Sequence, residues 1–488
     1  MTQCPDYAEY SKHFHDPGSG GALNLPFQRP MEACRRFTSS VIESVIDTVT
    51  AKIADLDLAR LFTNAYPNTL DTTIAQVACL NTTRASCTPL SFVITGDINA
   101  MWLRDSANQL LPYLDYVKQD LSLKRLFLGA IYLQAQFINL DPYANAFSEP
   151  RSLAVGSMGK RAVHLKPGVF EYKWEVDSLA SFLGLSYQYW HATGDDTFVN
   201  STSWMTAVES VIKVIHQEQE PTFDSVTGTP LPTYYTFSQT TDRPTETQFL
   251  NGRGNPTRRT GLIKSLFRPS DDATIFPFFI PGNAMMSVEL AHLAEVLEKS
   301  RYGNKILANE ASRLSTEIRN AIYKYGVVRH PDVGECFAYE VDGYGSSLIM
   351  DDANVPSLLS LSWLGFVNET DPIYQNTRRL VLSNANPYYF SGPRGAGIGG
   401  PHVGLSHAWP MSQIVRILTS TNDTEIIEAL KIILHSTDDT GLIHESFNVF
   451  DDDNPYTRSW FGWANGLFGQ AILKIYNERP HILSTHFT

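Results

Sequence analysis

Cysteine is scarce in this 488-residue chain. The five cysteines, at positions 4, 34, 79, 87 and 336, form no Cys-x-x-Cys pair, which argues against a structural zinc module. No stretch of about 18 uninterrupted apolar residues occurs, so a membrane-spanning helix is not expected. Runs of basic residues are missing as well. With 38 Lys+Arg against 51 Asp+Glu, the net charge is −13, and neither nucleic acid nor an anionic membrane is an expected partner. The first residues, MTQCPDYAEYSKHF, lack the apolar core of a signal peptide. There is also no low-complexity tract, fixed-period repeat or linker, so the simplest organisation is an N-terminal arm over 1–30 and a single domain over 31–488.

The chain is 43% apolar, enough for a large core, and carries 22 Tyr, 26 Phe and 8 Trp, rings that either fill a core or stack on flat polar ligands. Amphipathic helical stretches separated by Gly/Pro/Asp-rich loops are predicted at 31–56, 99–118, 122–138, 174–193, 203–218, 282–300, 305–324, 353–366, 374–384, 407–419, 424–436 and 459–477. Strand-like runs are few and short, as at Ser91–Thr95 and Gly326–Arg329. Six helix pairs with minor β elements predict an all-α (α/α)6 barrel, a toroid whose long loops line a cavity at one end. The polar segment 221–260 is too long for a routine connection, and its Tyr234, Tyr235 and Phe237 need a surface to pack on, so it is expected to roof or wall that cavity. Cys79 can bridge Cys87 across a short polar loop, and Cys4 can tie the arm to Cys34, leaving Cys336 over. Against this stands the alternative of five free thiols in a reducing compartment. Four Asn-x-Ser/Thr sequons (Asn81, Asn200, Asn368, Asn422) favour a secreted or secretory-pathway protein without its signal peptide. Oligomeric state is open, with a monomer as the default.

Chemistry concentrates where acids adjoin Trp, Gly and Pro. In TGDINAMWLRDSANQLLPYL (95–114), Trp102, Arg104 and Asp105 fall at a helix start downstream of Asp97, and an Arg–Asp fork there suits hydroxyl groups, although a helix cap with a surface ion pair explains either Asp alone. In GLIKSLFRPSDDATIFPFFIPGN (261–283), Asp271 and Asp272 follow Arg268 and precede an apolar run; burial there would keep a carboxyl protonated near neutral pH, while capping is an equal alternative. In GLIHESFNVFDDDNPYTRSWFGWANGLFG (441–469), Glu445 suits a base that holds a water, and His444 with Asp451, Asp452 and Asp453 lacks both zinc-enzyme and EF-hand spacing, so no metal or other cofactor is expected. Segments 171–180, 339–359 and 386–410 read as further cavity lining, with Asp177, Asp342, Asp351, Asp352, Asn354 and His402 as polar members. The Gly397-Ile398-Gly399-Gly400 stretch lacks both the preceding strand and the register of a nucleotide-binding loop.

Taken in order, GDINAMWLRDSANQLLPYL, EYKWEVDSL, TGLIKSLFRPSDDA, YEVDGYG with MDDANVPSLLSL, NPYYFSG with GIGGPH, and GLIHESF with YTRSWFGWAN resemble glycoside hydrolase family 125 from about residue 95 to 467. The resemblance implies an (α/α)6 catalytic domain and an exo-acting, metal-independent, inverting α-1,6-mannosidase that removes terminal mannose from N-glycans or fungal mannan. It further implies an Asp of RPSDD as general acid, Asp272 preferred over Asp271 for its place next to the apolar run, and Glu445 as general base. Trp102, Arg104 and Asp105 would grip the terminal mannose, helped by Arg268, Asn354 and His402. The rival readings are a calcium-dependent α-1,2-mannosidase or other (α/α)6 glycosidase, which a chelator would expose, and a non-catalytic glycan-binding protein, which has no need of an acid opposite a base.

Overall fold

Seven helix starts in the chain place Ser, Asp or Asn one residue ahead of an amphipathic run, and each of those side chains caps its helix in the computed structural model, which describes residues 4–79 (side chains of 77–79 aside), 88–150, 165–450 and 453–487. Twelve helices of eight or more residues lie among the described residues. They are α1 Ser40–Thr50, α2 Leu56–Ala65, α3 Leu103–Leu110, α4 Leu121–Leu140, α5 Val176–Thr193, α6 Thr202–Glu218, α7 Ile280–Lys299, α8 Lys305–Ala321, α9 Pro372–Val381, α10 Pro410–Leu418, α11 Asp423–His435 and α12 Gly462–Glu478. The fold is an (α/α)6 toroid. Helix α3 packs on α5, α5 on α7, α10 on α12 and α12 back on α3, while α8, α11 and α2 lie outside α7, α10 and α12.

The sixth inner position is not a helix. Residues 353–366, predicted helical from their leucine spacing, form consecutive turns. The buried Asp351 carboxylate accepts the N–H groups of Leu358 (2.8 Å) and Leu359 (3.0 Å), and Ser357 and Ser360 bond reciprocally, so side chains take the hydrogen bonds a helix would have made. The predicted 31–56 helix also differs: it resolves into a short turn of 3₁₀ helix at Glu32–Cys34 and α1, and α2 follows, capped by Asp55.

Inner and outer helices begin differently. Ser39, Asp55, Asp120, Ser201, Asn304, Asp371 and Asn422 cap α1, α2, α4, α6, α8, α9 and α11. The inner helices α3, α5, α7, α10 and α12 follow Trp102, Glu175, Phe279, Trp409 and Phe461, none of which makes a side-chain cap. Their first N–H groups go to neighbouring segments instead: Leu103 to Asn145 O, Val176 to Ser265 Oγ, Ile280 to Tyr339 O and Gly462 to Thr95 O, while α10 opens with Pro410, which has no N–H. These bonds knit the loops at one end of the ring into one surface.

The strands are short and lie mostly in those loops. Met101–Trp102, Ala146–Phe147 and Val169–Glu171 form one antiparallel sheet, and His407–Ala408, Ser446–Asn448 and Tyr456–Thr457 another. The predicted strand runs correspond to Pro89–Val93 and Val327–His330. Gly399 is a packing glycine, because a Cβ there would sit 2.1 Å from His407 O. The arm is held by a Cys4–Cys34 disulfide and by Tyr7, whose hydroxyl donates to Gln28 O. Cys336 is buried and outside any disulfide, and the Cys79–Cys87 pairing lies outside the described residues.

Candidate active site

A narrow pocket opens where the inner helices begin. Trp102 and Trp409, immediately before α3 and α10, line it with Phe461 and Trp463 at the start of α12. The indole N–H groups of Trp102, Trp409 and Trp463 are buried and have no acceptor among the described residues. A buried donor without a partner costs about 1–3 kcal/mol, so three around one pocket make a lining suited to a hydroxyl-rich ligand. Glu445, 7% exposed, enters from the strand Ser446–Asn448. Its N–H donates to Thr457 O (3.2 Å), Thr457 Oγ1 donates to its Oε2 (2.9 Å), and Arg458 Nη1 lies 3.4 Å from its Oε1. Arg458 is itself fixed by Asp97 at 2.7 Å and lies over the Phe461 ring.

The second carboxyl comes from a tight turn in which Asp271 N–H donates to Arg268 O and Arg268 N–H to Asp272 O. Asp271 has φ +68°, a left-handed conformation that Asp tolerates better than most residues and that sends the two adjacent carboxyl groups to different sides. Asp271 lies on the pocket wall. Asp272 is 1% exposed behind it, accepting from Ser270 Oγ (3.0 Å) with His402 Nδ1 at 3.7 Å. Asp272, the sequence-based preference for its place next to the apolar run, thus has its carboxyl turned to Ser270 and His402 and outside the pocket lining. Arg268 is withdrawn too: its Nε bonds Glu340 Oε1 at 2.6 Å and its guanidinium lies over Tyr339. Trp102, Arg104, Asp105, Asn354, His402 and Glu445 join Asp271 on the wall. Asn354 is oriented by Asp352, whose Oδ1 accepts from both its side-chain and backbone N–H. Burial works against charge on His402, but Asp272, with Glu445 and Asp271 beyond, raises its pKa to about 9, so it faces the pocket as a cation.

Behind Asp271 is a buried ionic cluster. Arg104 Nη1 binds Glu175 Oε2 (2.7 Å) and Asp177 Oδ2 (3.0 Å), and its Nη2 lies 3.3 Å from Asp105. Lys173 Nζ is 3.4 Å from Glu171. Asn145 Nδ2 reaches Glu171 (2.8 Å), Glu175 (3.2 Å) and Asp271 (3.4 Å). Sequence reasoning missed Asn145, Lys173, Glu175 and Arg458, although one signal was present: the ionic residues at 171, 173, 175 and 177 alternate with period two on a segment otherwise as apolar as the core.

Several expected lining residues serve elsewhere. Asp342 accepts Tyr344 and Ser346 N–H groups in a surface turn, and Trp174 is buried with its indole donating to Lys264 O. The 221–260 segment lies behind the pocket wall: Tyr235 accepts from Trp174 N–H and donates to Tyr172 O, and Phe237 packs edge-on against Phe267. His444 is stacked on Tyr456, and burial lowers its pKa to about 4. Among the described residues no group of three or more His, Cys, Asp and Glu is placed to hold a metal ion; Asp451 and Asp452 lie outside them.

The family model for metal-independent alpha-mannosidase (GH125) matches residues 55–473. The chain is 49% identical to the Meiotically up-regulated gene 157 protein of Schizosaccharomyces pombe, over 98% of this chain and 94% of that protein. Among solved structures, a metal-independent α-mannosidase of Streptococcus pneumoniae, in a non-productive complex with α-1,6-mannobiose, superposes with a TM-score of 0.82 at 33% identity, covering 91% of this chain and all of that one. A bacterial glucoamylase complexed with acarbose (TM-score 0.51, 13% identity, 88% of this chain and 57% of that one) shares the fold alone. The pocket of indoles and carboxyl groups therefore sits in a chain that belongs to glycoside hydrolase family 125, the metal-independent α-mannosidases.

Proposed function

We propose that the protein is an exo-acting, inverting α-1,6-mannosidase that removes non-reducing terminal mannose from N-glycans or fungal mannan. The observation that carries this reading is the narrow pocket holding Asp271 and Glu445 in separate hydrogen-bond networks beneath three indole donors. Asp271 is the general acid: it protonates the departing glycosidic oxygen while Glu445, held beside Arg458, takes a proton from a water attacking C1 on the opposite face. Inversion requires about 6.5–9.5 Å between the two carboxyl groups, room for that water. The relative solved with α-1,6-mannobiose supports the linkage. A secretory location belongs to the same reading, supported by the exposed sequons Asn200, Asn368 and Asn422 and by the Cys4–Cys34 bond.

Proton NMR of α-1,6-mannobiose hydrolysis tests it. β-Mannose as the first-formed anomer, and loss of activity in Asp271→Asn and Glu445→Gln without loss of fold, are expected. α-Mannose first, or preference for α-1,2-mannobiose, would overturn it.

A further inference from the structure

A general acid must carry a proton when substrate arrives, and Asp271 stands where a carboxyl gives its proton up. Among the described residues, Arg104 alone contacts three carboxyl groups, Asp105, Glu175 and Asp177, beside Asp271, while Lys173 lies against Glu171. Apart from Asp271 on the pocket wall, all of these side chains are at most 7% exposed. Asn145 has two amide protons for the three carboxyl groups it touches. A buried group with three carboxyl groups on one guanidinium retains protons, because the low-dielectric interior does not hold the excess charge.

One retained proton has an address. Asn145 Nδ2 reaches both Glu175 Oε1 (3.2 Å) and Asp271 Oδ1 (3.4 Å), so a fully buried carboxyl and the pocket carboxyl meet around one amide, where keeping both ionised is costly. We propose that Glu175 stores the proton of this pair and passes it to Asp271 when the glycosidic oxygen docks, making Glu175 a positioning residue that acts through the acid. The inference rests on Asp271 being the acid.

The electrostatics run the same way. Burial pushes Glu175 well above the usual carboxyl range; Arg104 opposes this, while Asp271 and Asp177 add to it. Burial pushes Asp271 up as well, but Lys173 and Arg104, helped by Glu175 and by His402, outweigh it and hold Asp271 low. Other charged or titratable neighbours of the cluster are Asp272, near Lys173, Arg458, near Asp105, and Tyr235, whose hydroxyl is bound to backbone. In the resting pair the proton is therefore on Glu175 and the charge on Asp271. During turnover the pair passes one proton to the leaving oxygen as the C1–O bond breaks. Glu445 gains one from the attacking water, and exchange with solvent restores both, so protons balance over the cycle. The pair also holds its single proton across a wider pH range than Asp271 alone would.

The test is the pH profile of Glu175→Gln. Glutamine keeps a donor for Asp271 and a partner for Arg104 but carries no transferable proton. The alkaline limb of kcat/KM for α-1,6-mannobiose is expected to move toward acid by about one unit or more, a tenfold or larger loss at neutral pH. Hydrolysis of α-mannosyl fluoride, whose leaving group needs no proton, stays near the wild-type rate. An unmoved limb, or equal loss on both substrates, overturns the proposal. Asp271→Asn separates the two ideas. If it still cleaves mannobiose, the acid assignment itself falls; if it loses mannobiose and keeps the fluoride while Glu175→Gln retains the wild-type limb, only the role of Glu175 falls. Should Glu175→Gln not fold, Lys173→Met supplies the opposite sign: losing the cation that favours charge on Asp271 moves the limb toward alkaline pH, and a limb that stays put or moves toward acid refutes the storage role.

Discussion

Replacing Arg104 with Met should destabilise the protein in a pH-dependent way. The guanidinium is 3% exposed and is the shared partner of Glu175, Asp177 and Asp105, all buried. Removing one member of a buried ionic group costs about 3–5 kcal/mol, because the remaining charges are left without compensation. Unfolding entropy of about 2.1 cal/mol/K per residue over 488 residues gives about 1 kcal/mol per degree, so Tm should fall by about 3–5 °C at neutral pH. The deficit will not be uniform. Burial already raises Glu175, Asp177 and Asp105 above the ordinary carboxyl range, and Arg104 is what restrains them. Without it they rise further. A carboxyl raised in the folded state contributes stability in full below its unfolded value, about 4, and loses it as pH climbs through the folded value. The Tm difference between wild type and Arg104→Met should thus be small near pH 4.5 and widen toward pH 8. Thermal melts across that range, monitored by circular dichroism, measure it. A difference that is constant, or larger in acid, would refute the account of Arg104 as the restraint on protonation of the cluster.

Trp409→Phe keeps a ring but deletes one indole donor, and kcat/KM for α-1,6-mannobiose should drop about five- to thirtyfold, the worth of about 1–2 kcal/mol, in steady-state kinetics with unchanged thermal stability. Prolonged treatment with a strong chelator should leave the rate unchanged, and added calcium should not raise it; a calcium-restored rate would favour the α-1,2-mannosidase reading. His402 gains its proton affinity from Asp272, so its contribution to stability is complete below the ordinary histidine value and disappears as pH rises through about 9. Wild type should therefore lose stability between pH 7 and pH 10 in denaturant titrations by an amount that His402→Gln does not lose.

Most outer helices were legible because their signals are local: a capping side chain followed by an apolar stripe, as Asp120 before α4 or Asn304 before α8. Helix α2 carries the same signal, Asp55 ahead of Leu58, Leu61, Phe62 and Ala65, and was overlooked because the preceding prediction ran into it. The 353–366 stretch misleads in the opposite sense. Its leucines follow helical spacing, yet Asp351, Ser357 and Ser360 take the backbone hydrogen bonds. The same limit governs the site. Segments with Trp beside acids pointed to Arg104, Asp105 and Glu445, whereas which of Asp271 and Asp272 lines the pocket turns on one positive φ, and the place of Asn145 depends on Glu171, Glu175 and the distant Asp271 meeting at its amide.

The helix starts around the pocket bear on how the enzyme can be improved or can drift. Five inner helices go without a side-chain cap, each worth about 1 kcal/mol, a total comparable to the whole net stability of an ordinary domain. At 102, 279, 409 and 461 a Ser, Asp or Asn cap would nevertheless replace a buried ring, whose truncation costs about 3–5 kcal/mol, and at 175 it would remove the proposed proton store. Stabilising substitutions are better sought among the outer helices, so the two rings separate durability from activity by position in the sequence.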